Sequence, residues 1–324
     1  MKKFLFLLLI FSYFCVCMKG ETIAIGVAVL WTLSALFFEY ASKRLGSVNL
    51  NLIRLVCAFF MLGITMTLIN GSFIPVGADK ATWFWMSLSG LVGFVLGDYF
   101  LFASYSIIMA RFSQLIMTLA PPFAAIFGFI LLGEKMSWIA VAGMLLTLTG
   151  ISISILKKQN GTLSRRFQLQ LPVKGVIFAL MGALGQGVGI VLSKQGMLAY
   201  EKVYTPGNAL YIPMAATQIR TIAGMISFAL IILLKGDMKK FLLVFQDKKA
   251  LGSVVTGSVF GPYLGVTFSL MAVHHANTAV ASTIMATAPI LILLPEYLYL
   301  KRKITWQQVA GAVLSVGGVT LFFI

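Results

Sequence analysis

Apolar runs of roughly twenty residues follow one another along this chain, parted by short breaks that carry Lys, Arg, Asn, Gly or Pro. A helix needs about 20 mostly apolar residues to cross a bilayer. Ten segments meet that need: 22–42, 50–70, 83–107, 112–132, 138–156, 175–197, 213–234, 251–273, 277–299 and 305–324. The tight breaks include Ala110-Arg111, Gly133-Glu134-Lys135, His274-His275-Ala276-Asn277 and Lys301-Arg302-Lys303. The longest connection, 157–171, is polar and basic. This pattern predicts an all-α integral membrane protein of ten transmembrane helices, preceded by a short apolar segment at 1–17.

The pattern is written twice. Ile116-Met117-Thr118-Leu119-Ala120-Pro121 and Ile284-Met285-Ala286-Thr287-Ala288-Pro289 lie 168 residues apart. The same spacing carries Gly97 onto Gly265, Trp138 onto Trp306, Gly143 onto Gly311 and Gly150 onto Gly318. Earlier in each copy the offset is smaller: Lys19-Gly20 falls on Lys174-Gly175 at 155, and Arg54 on Arg220 at 166. The expected organisation is therefore a segment 1–17, a first repeat 18–156, a basic linker 157–172 and a second repeat 173–324. Each repeat holds five spans, and five is odd, so the second must enter the membrane inverted. Duplication in so apolar a chain points to a secondary transporter.

Composition strengthens this reading. Of 324 residues 60% are hydrophobic and 10% charged, against about 25% charged in soluble domains. The net charge of +16 sits in clusters between apolar runs, which suits orientation signals and contact with anionic lipid and excludes nucleic acid as a partner. Alternate connections carry 16 and 4 Lys or Arg residues, so the richer side is expected to be cytoplasmic. Residues 1–17 read equally as a signal-anchor or as sequence upstream of a true start at Met18. Cys15, Cys17 and Cys57 lie in apolar runs and form no disulfide framework or metal-ligand set. No metal site, cofactor or nucleotide-binding motif is expected.

Charges at membrane depth cost roughly 2.5–3.5 kcal/mol each, which makes those present the leading functional candidates. Glu39 and Lys194 are equivalent across the repeats, placed to face each other or a central cavity; snorkelling near a helix end is the alternative. Asp98, with Gly90, Gly93 and Gly97 on neighbouring turns, has Val266 as its counterpart. It is read as a site for proton or cation coupling or amine recognition, or else as an ion-pair partner of Arg54 or Arg220, which occupy structural positions. Pro121 and Pro289, with Met117 and Met285 one turn before, mark matched helix breaks at the cavity. Gln186, Gln114, Trp31 and Tyr263 complete the candidate lining.

Ala120-Pro121 followed by Leu132-Gly133-Glu134, Gly143 and Gly150, then Ala288-Pro289 with Gly311 and Gly318, together with Trp31 and Arg54, resemble the EamA-type members of the drug/metabolite transporter superfamily over residues 18–324. The resemblance implies a substrate cavity between the halves, lined by spans one, three, four, six, eight and nine, and export or exchange of small metabolites by alternating access. Lys194 stands where such proteins often carry a lysine; Glu39 departs from that pattern, and so does Leu300-Lys301-Arg302, with Glu296 one turn earlier. The expected function is a multi-pass permease in the cell (inner or plasma) membrane, with a non-transporting scaffold or an intramembrane enzyme as alternatives. The expected partners are a small-molecule substrate, a proton or counter-substrate and the lipid bilayer, a homodimer being left open.

Overall fold

The computed structural model describes residues 20–155, 172–205, 207–291 and 306–323. The segment 1–17, most of the linker 157–172, and the tract holding Glu296 and Lys301-Arg302-Lys303 lie outside the described residues. The described chain is helical: α1 (Gly20–Leu45), α2 (Ser47–Asn70), α3 (Lys80–Gly90), a π-helical segment Leu91–Asp98, α4 (Tyr99–Met117), α5 (Ala120–Leu132), α6 (Trp138–Ile155), α7 (Val173–Glu201) and α8 (Tyr211–Leu234). There follow α9 (Met238–Leu243), α10 (Lys248–Ser258), a second π-helical segment Val259–Gly265, α11 (Val266–His275), α12 (Thr278–Met285), α13 (Ala288–Leu291) and α14 (Trp306–Thr320). No strand occurs among the described residues.

Seven helical stretches among them are long and apolar enough to cross a membrane: Gly20–Leu45, Ser47–Asn70, Lys80–Ile108, Phe112–Leu132, Val173–Glu201, Tyr211–Leu234 and Lys248–His275. Trp138–Ile153 and Val309–Thr320 are shorter apolar helices. The side chains are sorted as lipid requires. Phe60, Ile64 and Leu68 form an exposed stripe at helical spacing on α2, as do Ile226, Leu230 and Leu233 on α8, while Asn51, Ser193, Thr217 and Gln218 are fully buried. In water the arrangement would run the other way; this is a multi-pass membrane protein.

Turns between helices are short. Gly46 alone separates α1 from α2, at φ 77, a left-handed angle that a Cβ would strain. Between the third and fourth spans the chain reverses inside α4. Ser104 Oγ lies 2.7 Å from Ser113 Oγ, and the Gln114 amide donates to the Tyr105 hydroxyl at 2.5 Å. Residues nine apart on a straight helix are about 13 Å apart along its axis, so the helix folds back between these pairs, around Ala110-Arg111. Asn277 caps α12, its side chain accepting from the backbone N–H groups of Ala279 at 3.0 Å and Val280 at 3.4 Å.

Packing exchanges under a swap of halves. α1 lies against α10 and α11 as α7 lies against α3 and α4; α12 lies against α1 as α5 lies against α7. Three contacts are their own counterparts: α2 with α8, α5 with α12, and α6 with α14. In the last of these, a Cβ on Gly143 would lie 2.9 Å from the Gly318 carbonyl oxygen, and one on Gly150 2.6 Å from that of Gly311. Thr147 reaches the Ser315 carbonyl at 3.4 Å and Gln307 that of Ile153 at 2.9 Å. As one number rises the other falls, so α6 and α14 run antiparallel along a seam of small residues that lets their backbones touch.

Candidate functional site

Four helix interruptions surround the middle of the bundle, in two matched pairs. The π segments Leu91–Asp98 and Val259–Gly265 begin 168 residues apart. So do the turns Thr118-Leu119, between α4 and α5, and Ala286-Thr287, between α12 and α13. A π-helical turn inserts a wider ring into the hydrogen-bond ladder and is frequent at functional sites. The second contains Pro262; the first lies among glycines that meet other backbone, Gly93 facing Gly189 and Gly97 facing Gly185 and Gln186. Pro121 stands in the first turn of α5, where no intrahelical N–H is needed, yet it cannot donate to the carbonyl of Met117. Pro289 lies within α13. The Ala288 carbonyl beside it takes a hydrogen bond from Thr32 Oγ1 at 3.0 Å. At the matching crossing Gly187 abuts the Ala120 carbonyl oxygen, where a Cβ would come within 2.5 Å.

These interruptions border a cavity of about 940 Å³ including its open mouth. Its walls come from the first, third, fourth, sixth, eighth and ninth spans, with Arg54 reaching in from the second. Trp31, Gln186, Met117, Pro121, Met285 and Asp98 all line it. From the helix breaks it extends along Phe38, Tyr105 and Gln114, toward the end of the bundle that carries Lys43 and Arg44. At that end Arg44 Nε meets Asp247 Oδ2 at 2.5 Å, joining the connection after α1 to that before α10.

Asp98 closes the first π segment and is buried, as are Arg54 and Arg220. One carboxylate oxygen pairs with Arg54 Nη2, and the other accepts from the Gln186 amide, which also donates to the Gly93 carbonyl at 3.3 Å. Arg54 Nε is held by Asn51 Oδ1 at 2.8 Å. Both guanidinium groups sit over one ring: Arg54 Cζ is 5.4 Å and Arg220 Cζ 4.5 Å from the centroid of Phe94. Phe102 and Phe38 add contacts to Arg54 at 5.0 and 5.8 Å, geometry in which ring faces stabilise a desolvated cation. Arg220 Nε is buried with no hydrogen-bond partner among the described residues.

A second charged cluster lies at the other end of the bundle. Lys194 Nζ bonds Glu134 Oε1 and the Ala276 carbonyl, both at 2.6 Å. Glu134 also accepts from the Thr278 N–H at 2.9 Å and its hydroxyl at 3.0 Å. One carboxylate thereby ties together the connections after α5 and after α11 and the upper part of α7. Beside it His274 Nε2 lies 3.1 Å from Glu201 Oε1. Tyr200 and Tyr211 bond the backbone of Val76, Tyr211 accepting from its N–H at 2.8 Å. None of these residues lines the cavity.

The candidates read from sequence thus fall into separate places. Asp98, Arg54 and Gln186 meet, with Arg220 behind Phe94, and Trp31, Met117, Pro121 and Met285 share their cavity. Lys194 and Glu39 neither face each other nor line it: Glu39 pairs with Lys43 at 2.6 Å, one turn along α1. Tyr263 is buried outside the lining, its hydroxyl 2.8 Å from Thr65 Oγ1. The side chain of Pro289 lies outside the described residues. Sequence reasoning missed the aromatic enclosure of Arg54 and the partnership of Lys194 with Glu134. The clue to the latter was an acidic residue in a break opposite a lysine at a helix end. Among the described residues no group of His, Cys, Asp and Glu could hold a metal.

The profile of the EamA-like transporter family matches residues 18–156 and 173–324. A protein named "Uncharacterized transporter" from Buchnera aphidicola subsp. Schizaphis graminum (strain Sg) is 33% identical over 114 residues. That match spans 35% of this chain and 35% of the relative. A solved crystal structure superposes with a TM-score of 0.67 at 18% identity, covering 94% of this chain and 95% of that one, a likeness of fold.

Proposed function

The chain belongs to the EamA-like transporter family, and from that premise we propose that it is a secondary carrier of a small metabolite or amphipathic compound, working by alternating access, and not an enzyme. Ten spans form two inverted five-span repeats in the cell membrane; the antiparallel α6–α14 seam and the exchange of contacts between halves support that arrangement. One observation carries the reading. The cavity lies between matched interruptions of both halves and extends from them toward the end of the bundle bearing Lys43 and Arg44, while the Glu134–Lys194–Thr278 cluster binds helix ends together at the other. In an inverted-repeat carrier the substrate sits at such a junction, and rocking of one half against the other exposes it to either side.

The positively charged connections put the end bearing Lys43, Arg44 and Lys239–Lys249 in the cytoplasm, so the described state opens inward. Reporter fusions at residue 245 and at the C-terminus are expected to read inside and outside, respectively; the reverse overturns the orientation. Metabolites in the medium of cells with and without the protein are to be compared. A defined set that rises with the protein, and falls to background on Asp98→Asn, is the expected result. Identical profiles would favour the scaffold reading. Proton coupling at Asp98 is tested in the same variant: loss of gradient-driven accumulation with exchange retained assigns the coupling step to Asp98.

A further inference from the structure

The cavity has two unlike poles at positions that the repeat makes equivalent. Asp98 corresponds to Val266, Gln186 to Trp31, Gln114 to Ser282 and Phe94 to Pro262, and all eight residues line the same space. The pole on the third, fourth and sixth spans carries Asp98, Gln186 and Gln114 beside Phe94, and that on the eighth, ninth and first carries Val266, Trp31 and Pro262 beside Ser282. Beside the first pole stand two arginines and one aspartate. Arginine stays protonated in proteins, so this cluster carries +1 with Asp98 ionised and +2 with it neutral. Among the described residues no other acidic side chain lines the cavity; Glu39 is engaged with Lys43. Both oxygens of Asp98 are already taken, by Arg54 and Gln186, so an ammonium ligand would have to displace a guanidinium. An anion finds the opposite situation: uncompensated positive charge in a low-dielectric wall, where attraction is weakly screened, and the Gln114 amide, which lines the cavity and gives only one of its two N–H groups to Tyr105.

Resting on the carrier reading, we propose that the substrate is an amphipathic organic anion. Its carboxylate, or an equivalent acidic group, sits against Arg54 and the amide of Gln114. Its apolar part lies against Trp31, Pro262, Val266 and Met285. Arg220, one ring behind, is a positioning residue: it leaves the cluster positive after Asp98 has neutralised Arg54.

Equilibrium binding of labelled phenylacetate to the purified full chain tests this, with 2-phenylethanol and 2-phenylethylamine as competitors of the same size. Phenylacetate is expected to bind saturably and at least about tenfold more tightly than either, the scale of a charge-assisted hydrogen bond. Asp98→Asn removes the competing anion and should tighten phenylacetate binding severalfold; Arg220→Gln should cut its advantage over the alcohol to less than about threefold, and Arg220→Lys should restore it. No saturable phenylacetate binding, tighter binding of the amine, or weaker phenylacetate binding in Asp98→Asn overturns the proposal. Should either variant fail to fold, the three-ligand comparison on the unaltered protein decides. Proteoliposome flux separates the two readings: an anion that binds but is never moved removes the carrier and keeps the site, while transport confined to amines removes the anion and keeps the carrier.

Discussion

Lys194–Glu134 and Arg54–Asp98 are ion pairs inside this bundle, and they are built on different principles. Lys194–Glu134 is balanced: one cation, one anion, and every acceptor shared among backbone and hydroxyl donors from neighbouring connections. Arg54–Asp98 is unbalanced, because Arg220 adds a second cation over the same phenylalanine ring. The balanced pair binds helix ends together at one end of the protein; the unbalanced one borders its cavity. Charge at membrane depth marks both; on the proposed reading it is the surplus, not the depth, that distinguishes a place for a ligand from a fastening.

The largest effect should come from breaking the unbalanced cluster. Arg54→Leu leaves Asp98 without its ion-pair partner, and removing one member of a buried pair costs about 3–5 kcal/mol. Thermal unfolding in detergent should show that loss, with Arg54→Leu/Asp98→Leu recovering most of it. A double variant no more stable than the single one would deny the coupling. Next comes Glu134→Gln, at about 1–2 kcal/mol for a partly exposed pair. Its signature is access, not unfolding: a cysteine at Thr278 should react about tenfold faster with a water-soluble maleimide once the fastening is lost, since 1.4 kcal/mol is a factor of ten. Unchanged reactivity would show that this end is closed by something else. Thr32→Val withdraws the hydroxyl from the Ala288 carbonyl and should cost about 1 kcal/mol, read in the same unfolding assay.

The smallest effect belongs to the exposed pair at the basic end. Asp247 is held below the usual carboxylate range, first by the Ala250 N–H donated to it and then by Arg44. A carboxyl whose folded value is depressed contributes stability above its unfolded value, near 3.9, and loses it as pH falls through the folded one. The native protein should therefore lose stability as pH falls below about 4, a loss that Asp247→Asn lacks: the variant is the less stable of the two at neutral pH, and the difference closes in acid and shrinks in high salt.

Much of the fold is legible in the chain because its signals are local. Length and apolarity mark the spans, and the doubled Met117–Pro121 and Met285–Pro289 elements mark the paired interruptions. The glycine run before Asp98 signals close packing, which the structure realises against Gly185 and Gly189. Partnerships are another matter. Glu39 and Lys194 are equivalent by offset, and equivalence suggests that they face one another. Each instead answers to a residue that the offset does not relate to it, Lys43 one turn away and Glu134 in a distant connection. Nor could spacing show that Arg54, expected at a structural helix end, enters the cavity under three aromatic rings, or that Tyr263 turns away to Thr65. The π segments leave no composition signal of their own; only the close approach of α7 and the placement of Pro262 reveal why the ladder widens there.

The α6–α14 seam constrains how this sequence can drift. Gly143 meets Gly318 and Gly150 meets Gly311, yet by ancestry Gly143 is the copy of Gly311 and Gly150 the copy of Gly318. A side chain gained in one half therefore collides with the twin of its neighbour, not with its own. Enlargement at any of the four positions must be answered by shrinkage in the opposite repeat, and none of the four has a smaller residue to offer. Long after the rest of the duplication has diverged, this crossing should be where the two halves still read alike.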